Sequence, residues 1–145
     1  MAQARTAAGF TLIELVVALA VVAITTMIAA SSYRGHILRS HRVAAVQSLL
    51  VAATEQEKFH LSNGTYGSRL DAHAGDDPPG LPVASRTPGG HYALSVTQAD
   101  AATYRVVATA ASASADPLCQ VLAIDESGRR TAADSHGRDT AARCW

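Results

Sequence analysis

The chain has 145 residues, with 12 Lys+Arg against 12 Asp+Glu, a formal net charge of zero and a mean hydropathy of +0.10. That length suits one domain, or one small domain with an appendage. The balanced charge excludes a basic module held on nucleic acid by phosphate neutralisation alone, and 17% charged residues with ordinary glycine and proline content exclude a wholly disordered chain.

The first element is apolar. Residues 10–30 hold 17 apolar residues in 21, with Glu14 the only charge. Residues 31–145 hold 48 in 115, of which 20 are Leu, Ile, Val or Phe, so a thin, alanine-rich core is expected behind it. As a helix the run reaches ~31 Å, the thickness of a bilayer's hydrocarbon core. A secretory signal, a plain membrane anchor and a membrane helix with an assembly role all fit that hydropathy. The signal reading takes its basic start from Arg5 and a weak cleavage site from Ala29-Ala30-Ser31, but the apolar run is long for it and contains an acid. An acid at the centre of a spanning helix costs about 2.5–3.5 kcal/mol, so Glu14 asks for a reason.

Its neighbours supply one. Gly9-Phe10-Thr11-Leu12-Ile13-Glu14-Leu15 follows a short polar leader and opens the apolar run. Here the sequence resembles the type IV prepilins. The resemblance implies that residues 1–9 are a leader, that a prepilin peptidase cuts between Gly9 and Phe10, and that Phe10 is then N-methylated. It also implies a transmembrane and later filament-core helix over residues 10–30, with residues 31–145 forming a periplasmic or extracellular pilin domain. Cleavage creates an α-amino group with a reference pKa of about 7.7–8.0, largely cationic at neutral pH. Glu14 stands one helical turn after it, and a carboxylate in an apolar surrounding needs such a partner. Glu14 is therefore expected to set register between subunits and to have no catalytic role.

Arg34, Arg39 and Arg42 follow the run, while Arg5 alone precedes it. Counting basic residues places the C-terminal side in the cytoplasm. The resemblance implies the opposite, and it is preferred because the cysteines also call for an oxidising compartment.

From Ser31 to Leu61 there is no proline and one glycine, Gly35. Val43, Val46, Leu50 and Ala53 recur at helical spacing, as do Leu49, Ala53 and Gln56 beside them. The helix is thus expected to continue to about Leu61, with Asn63-Gly64 as its stop. Residues 62–90 carry ten Gly or Pro residues and read as a long surface loop. Asp76-Asp77 before two prolines reads as solvated loop in preference to a calcium site. Alternation then returns at Tyr92–Val96, at Tyr104–Thr109, over Leu118–Ile124 and near Arg130–Ala132, which argues for an antiparallel meander with one face on the helix and the other in solvent. The expected fold class is α+β: a long N-terminal helix packed on a four-stranded antiparallel sheet, the order that resembles the type IV pilin fold.

Cys119 and Cys144 are the only cysteines. With no CxxC and an exported chain implied, one disulfide is expected, worth about 3.5 kcal/mol by loop-closure entropy. The six histidines, at 36, 41, 60, 73, 91 and 136, show no metal-ligand spacing, and no catalytic arrangement or cofactor motif is present. Arg129, Arg130, Arg138 and Trp145 form a candidate nucleic-acid contact, Trp145 by stacking on a base. Asp125, Glu126, Asp134 and Asp139 offset the arginines, and a solvated loop is the favoured reading.

Within the pilin family, Arg42-Val43-Ala44-Ala45, Glu55–Phe59, Asn63–Tyr66, the Tyr92–Val96 strand and the Cys-Trp end look like type IVa minor pilins. Major pilins of the class usually carry a helix-kinking proline where this chain has Ser31. The expectation is a structural minor pilin, processed and incorporated into a type IV pilus or priming it, for motility, adhesion or DNA uptake. The expected partners are the peptidase, other major and minor pilins, the assembly machinery and the inner membrane. A type II secretion pseudopilin, a DNA-receptor minor pilin and a secreted binding module are the alternatives.

Overall fold

A computed structural model of the protein describes residues 11–73, 75–77, 79–112 and 115–145, leaving out also the side chains of residues 28–32. The expected cleavage and methylation site, Gly9 and Phe10, lies outside the described residues. The chain falls into two compact units, Met1–Ile37 and Leu38–Trp145. Helix α1 runs from Leu12 to Asn63 and contributes to both.

In the first unit α1 opens at Thr11, whose Oγ1 accepts the Glu14 N–H at 3.3 Å while its carbonyl accepts the Leu15 N–H at 3.2 Å. Thr11 thus caps the helix, and Glu14 occupies the first turn, where the macrodipole favours an acid. Every described residue from Thr11 to Met27 is exposed, Leu12 at 83% and Ile24 at 61%. Among the described residues no helix is long and apolar enough to cross a membrane. The apolar run of the sequence has its first residue and the side chains of its last three outside that description.

The second unit has one core. The four strands are β1 (Tyr92–Ala99), β2 (Tyr104–Ala110), β3 (Val121–Asp125) and β4 (Arg130–Ala133), antiparallel in sequential order. Register sets the buried face: Leu94, Ala108, Leu122 and Ala132 form one cross-strand row, and Val96, Val106 and Ile124 the next. Against them pack Ala45, Leu49 and Ala52 of α1, all fully buried, with fully buried Gln56 one turn further along the same face. This face corrects the first of the two expected stripes: Val43 and Leu50 are exposed, at 50% and 38%. Alanine at 45 and 52 lets the helix approach the sheet more closely than valine or leucine would, so the smaller residues take the inward face.

Helix α1 ends at the expected Asn63-Gly64 stop, with Asn63 its last residue and Gly64 at φ 69° donating its N–H to His60 O. Two expectations change elsewhere. The third strand starts at Val121, because Leu118–Gln120 are held in a bend by bonds described below. The outer sheet face is not wholly wet: Val107 and Ala123 are buried there, and Arg105 reaches from β2 across β3 to Thr131 of β4 (Nη2–Oγ1 2.9 Å), so its stem crosses that row.

The 62–90 segment has little regular structure, a bridge at Arg86 and a 3-10 turn at Pro88–Gly90, yet it is more than surface loop. Leu81 and Val83 enter the core, and its two limbs bond to each other through Asp71 N–Val83 O, Ala72 N–Leu81 O and Leu81 N–Arg69 O. The fully buried Gln56 bonds both backbone groups of Gly67, at 2.7 and 2.8 Å. Gly80 is required by space: a Cβ there would stand 2.9 Å from both the Ala72 Cβ and Arg69 O.

One polar knot joins helix, sheet and C-terminal region. Arg42 of α1 forks onto Asp116 through Nε and Nη2, the latter at 2.7 Å. The Tyr92 hydroxyl lies 2.9 Å from Asp116 Oδ2 and 2.8 Å from Cys119 O, and Cys119 N donates to Asp116 Oδ1. Burial works against the Asp116 charge, but the Arg42 and Tyr92 hydrogen bonds outweigh it and hold the carboxyl below its ordinary value. The same burial pushes the Tyr92 phenol up. Because the folded pKa of Asp116 is depressed, its contribution is present above the unfolded value of 3.8 and is lost as pH falls through the folded value. Asp116→Asn should therefore cost about 3–5 kcal/mol at neutral pH by leaving Arg42 unpaired. In urea unfolding the difference from the parent chain should shrink on acidification below pH ~4.

Candidate functional site

Two regions carry the functional candidates: the apolar segment with Glu14, and the disulfide-bounded C-terminal region. The first presents a bare apolar helix surface interrupted by one acid. Sequence reasoning read Glu14 only as a partner for an amine. The structure adds that Thr11 and Glu14 stand at the cap and third helical positions, a spacing legible in Thr-x-x-Glu.

The second region is built on the disulfide. Cys119 and Cys144 are joined, with Sγ–Sγ 2.01 Å and Cα–Cα 5.8 Å, and both are buried. The bond anchors a short helix α2 (Ala141–Cys144) and with it the last residue. Thr140 supports it, donating its N–H to Ala132 O and its hydroxyl to Leu118 O. Trp145 donates Nε1–H to Thr131 O at 2.9 Å and packs against the core.

The arginines separate. Arg130 continues the inward register row of Val96, Val106 and Ile124 at the exposed end of the edge strand, which sets its guanidinium 5.4 Å from the Trp145 ring centre. Trp145 was a candidate for stacking on a base, and here Arg130 already lies over its ring and its N–H is engaged. Arg129 lies in the β3–β4 turn, where its backbone N–H bonds Asp125 Oδ1 and its side chain is exposed. Arg138 is exposed at 75% of its side chain but its Nε is bonded to Asp134 at 2.7 Å. The Arg138 backbone N–H is the largest influence holding Asp134 down to about 2, with burial opposing and the guanidinium adding to it. The sequence set therefore comes together only as Arg130 with Trp145, with Arg129 nearby in the turn and Arg138 tied to an acid.

Two arginines outside the candidate contact set join this region. Arg39 of α1 and Arg143 of α2 lie with Trp145 around one groove. Nothing local linked positions 39 and 143 in the sequence. The Asp76 carboxylate takes Arg69 and the His73 N–H, and among the described residues no cluster of three or more His, Cys, Asp or Glu could hold a metal ion.

A capped apolar N-terminal helix whose continuation packs on a four-stranded meander, with a disulfide pinning the C-terminus, defines a pilin-type filament subunit. The family profile described as "Type IV minor pilin ComP, DNA uptake sequence receptor" matches residues 31–123, and the prokaryotic N-terminal methylation motif matches residues 4–30. The chain belongs to this family of type IV minor pilins. Among solved structures it is similar to the Neisseria meningitidis non-core minor pilin PilV, at 14% identity and a TM-score of 0.51, over 68% of this chain and 89% of that one. That likeness bears on the fold. No curated protein matches the sequence.

The disulfide positions both Arg143 and Trp145, so its removal should be felt here first. Replacing Cys119 and Cys144 together by Ser should destabilise the chain by about 2–4 kcal/mol. In the same variant the emission of the single tryptophan, Trp145, should shift to the red as the C-terminus leaves the core.

Proposed function

We propose that this minor pilin is cut between Gly9 and Phe10, N-methylated at Phe10, anchored in the inner membrane by residues 10–30, and passed into a type IV pilus, where it presents its globular unit as a receptor for DNA. The observation that carries the receptor reading is the match of residues 31–123 to a family described by a DNA uptake sequence receptor. Residue types alone favoured a solvated loop around Arg129, Arg130 and Arg138, and the match, which ends at residue 123, supports the receptor role without bearing on which side chains touch DNA. It also favours a pilus over a type II secretion machine.

The chemistry is consistent with the assignment. Arg129 and Arg130 are exposed, and guanidinium groups bind phosphates in bidentate fashion. The zero net charge means that affinity must come from a local cluster, since the domain as a whole attracts no polyanion. Membrane insertion gives the exposed apolar face of α1 a solvent, and the filament replaces that solvent with neighbouring helices. In either surrounding Glu14 requires a cation, and the amine created at Phe10 of an adjacent subunit is one. The peptidase, the other pilins and the assembly machinery are the partners this route requires.

Mass spectrometry of the mature chain should find an N-terminal N-methylphenylalanine at Phe10, and Glu14→Ala should leave that processing intact while abolishing recovery in sheared pili. A mature start near Ser31 or Ser32, or normal incorporation of the Ala variant, contradicts this reading. For the receptor, duplex binding by the full chain in detergent should weaken with salt, and changing Arg129, Arg130 and Arg138 together to Gln should lower the log–log salt slope by about one for each phosphate no longer neutralised. An unchanged slope removes these arginines from the interface.

A further inference from the structure

The groove beside the C-terminus has a chemistry of its own. Arg39, Arg42, Val43 and Val46 of α1 face Arg143 and Trp145 across a space of about 320 Å³. Arg42 is committed to Asp116. Arg39 and Arg143 are exposed, and neither has an ion-pair partner among the described residues. Between them the floor is apolar: Val43 is half exposed, and Val46 and Trp145 are half-buried against the core. Two unpaired guanidinium groups over such a floor suit an amphiphilic anion, a phosphodiester that carries hydrocarbon, better than a fully hydrated one.

Chain position says where such an anion is met. Arg39 stands nine residues after Ala30, the last of the apolar run. Even fully extended, nine residues span only ~32 Å, so the groove is tethered close to the end of the apolar run whatever conformation lies between. The headgroup layer extends ~5–7 Å beyond the hydrocarbon on each side. Tyr33, 66% exposed, and Arg34 occupy the interval, and Tyr and Trp favour that interface.

We infer that the groove binds the phosphate of an anionic phospholipid in the leaflet on the globular side, through Arg39 and Arg143, with Trp145 at headgroup level. The inference rests on the membrane-anchored reading of residues 10–30. It gives Arg34 and Arg39 a reason to follow the apolar run on the side where the charge-bias rule does not place them: lipid phosphate is their partner there. Docking would hold the globular unit to the membrane until the subunit is extracted, and extraction would free the groove.

Trp145 is the single tryptophan, so its fluorescence reports on this groove alone. The full chain is reconstituted in phosphatidylcholine vesicles, with or without phosphatidylglycerol, containing a lipid spin-labelled near the headgroup. The expected result is stronger quenching of Trp145 with phosphatidylglycerol, reversed by high salt. Each arginine at an anionic surface gives a preference of roughly fivefold, so Arg39→Gln with Arg143→Gln should reduce the preference for the anionic vesicles on the order of 25-fold. Arg39→Lys with Arg143→Lys, which keeps the charge, should retain most of it. Equal quenching in both vesicles, or no effect of the Gln pair, overturns the inference. So does a Gln pair that lowers duplex binding while leaving lipid quenching intact, which assigns the groove to nucleic acid. Flotation scores the anchor separately: a chain that fails to float with the vesicles overturns both readings, whereas one that floats without quenching overturns only the groove.

Discussion

The fork of Arg42 onto Asp116 is the interaction on which the globular unit's geometry depends. Arg42 lies early in the packed part of α1, Asp116 lies in the bend between β2 and β3, and Tyr92 begins β1. One buried carboxylate thereby fixes the helix, the first strand and the segment entering the disulfide. Its Oδ1 also accepts the Cys119 N–H, so the bond that pins the C-terminus starts from a residue the knot has already placed. A core in which Ala45, Ala52, Ala108, Ala110 and Ala132 stand inward offers little apolar area per residue. Such a core defines position weakly, and a satisfied polar network with a covalent link supplies what it lacks.

The N-terminal segment obeys a different constraint. Its exposed surface is apolar from Leu12 to Met27 apart from Glu14 and two threonines at 25 and 26, whose hydroxyls turn back onto the helix carbonyls at 21–23. Such a surface is stable only against lipid or other apolar helices. Within it the first helical turn is where an acid is least costly, since free N–H groups and the macrodipole both favour negative charge there. Position and partner therefore act together at Glu14: the cap region lowers the cost of the charge, and in the proposed assembly the amine of an adjacent subunit would complete its neutralisation.

The arginines show how one residue type divides among roles according to what the fold places beside it. Arg42 is structural because Asp116 meets it, Arg105 braces the outer sheet face through Thr131, and Arg138 is held by Asp134. Arg130 covers the Trp145 ring, and Arg39 and Arg143 stay unpaired among the described residues, as does Arg129 in its turn. With formal charge balanced across the chain, it is this unequal pairing, and no excess of positive charge, that leaves cationic surface exposed.

The class of protein was legible from local pattern: the Gly9–Leu15 motif, the unbroken apolar run, the period change after Gly90 and two cysteines in a chain otherwise free of them. These signals survive because each depends on contiguous residues, and a helix or strand period repeats within a few positions. Which of two overlapping helical stripes faces the sheet was not legible, since Val43 and Leu50 are more apolar than Ala45 and Ala52, and closeness of approach decided against them. Nor were the burial of Leu81 and Val83 in a Gly/Pro-rich segment, the late start of the third expected strand, or the meeting of Arg39 with Arg143 and Trp145. Each of these pairs residues far apart in the chain, through hydrogen bonds or packing that only the closed tertiary structure brings within reach. The sequence by itself determined the division of this protein into an apolar helical segment and a thin-cored domain, because both are written in contiguous residues. The tertiary structure decided which of its charges remain available.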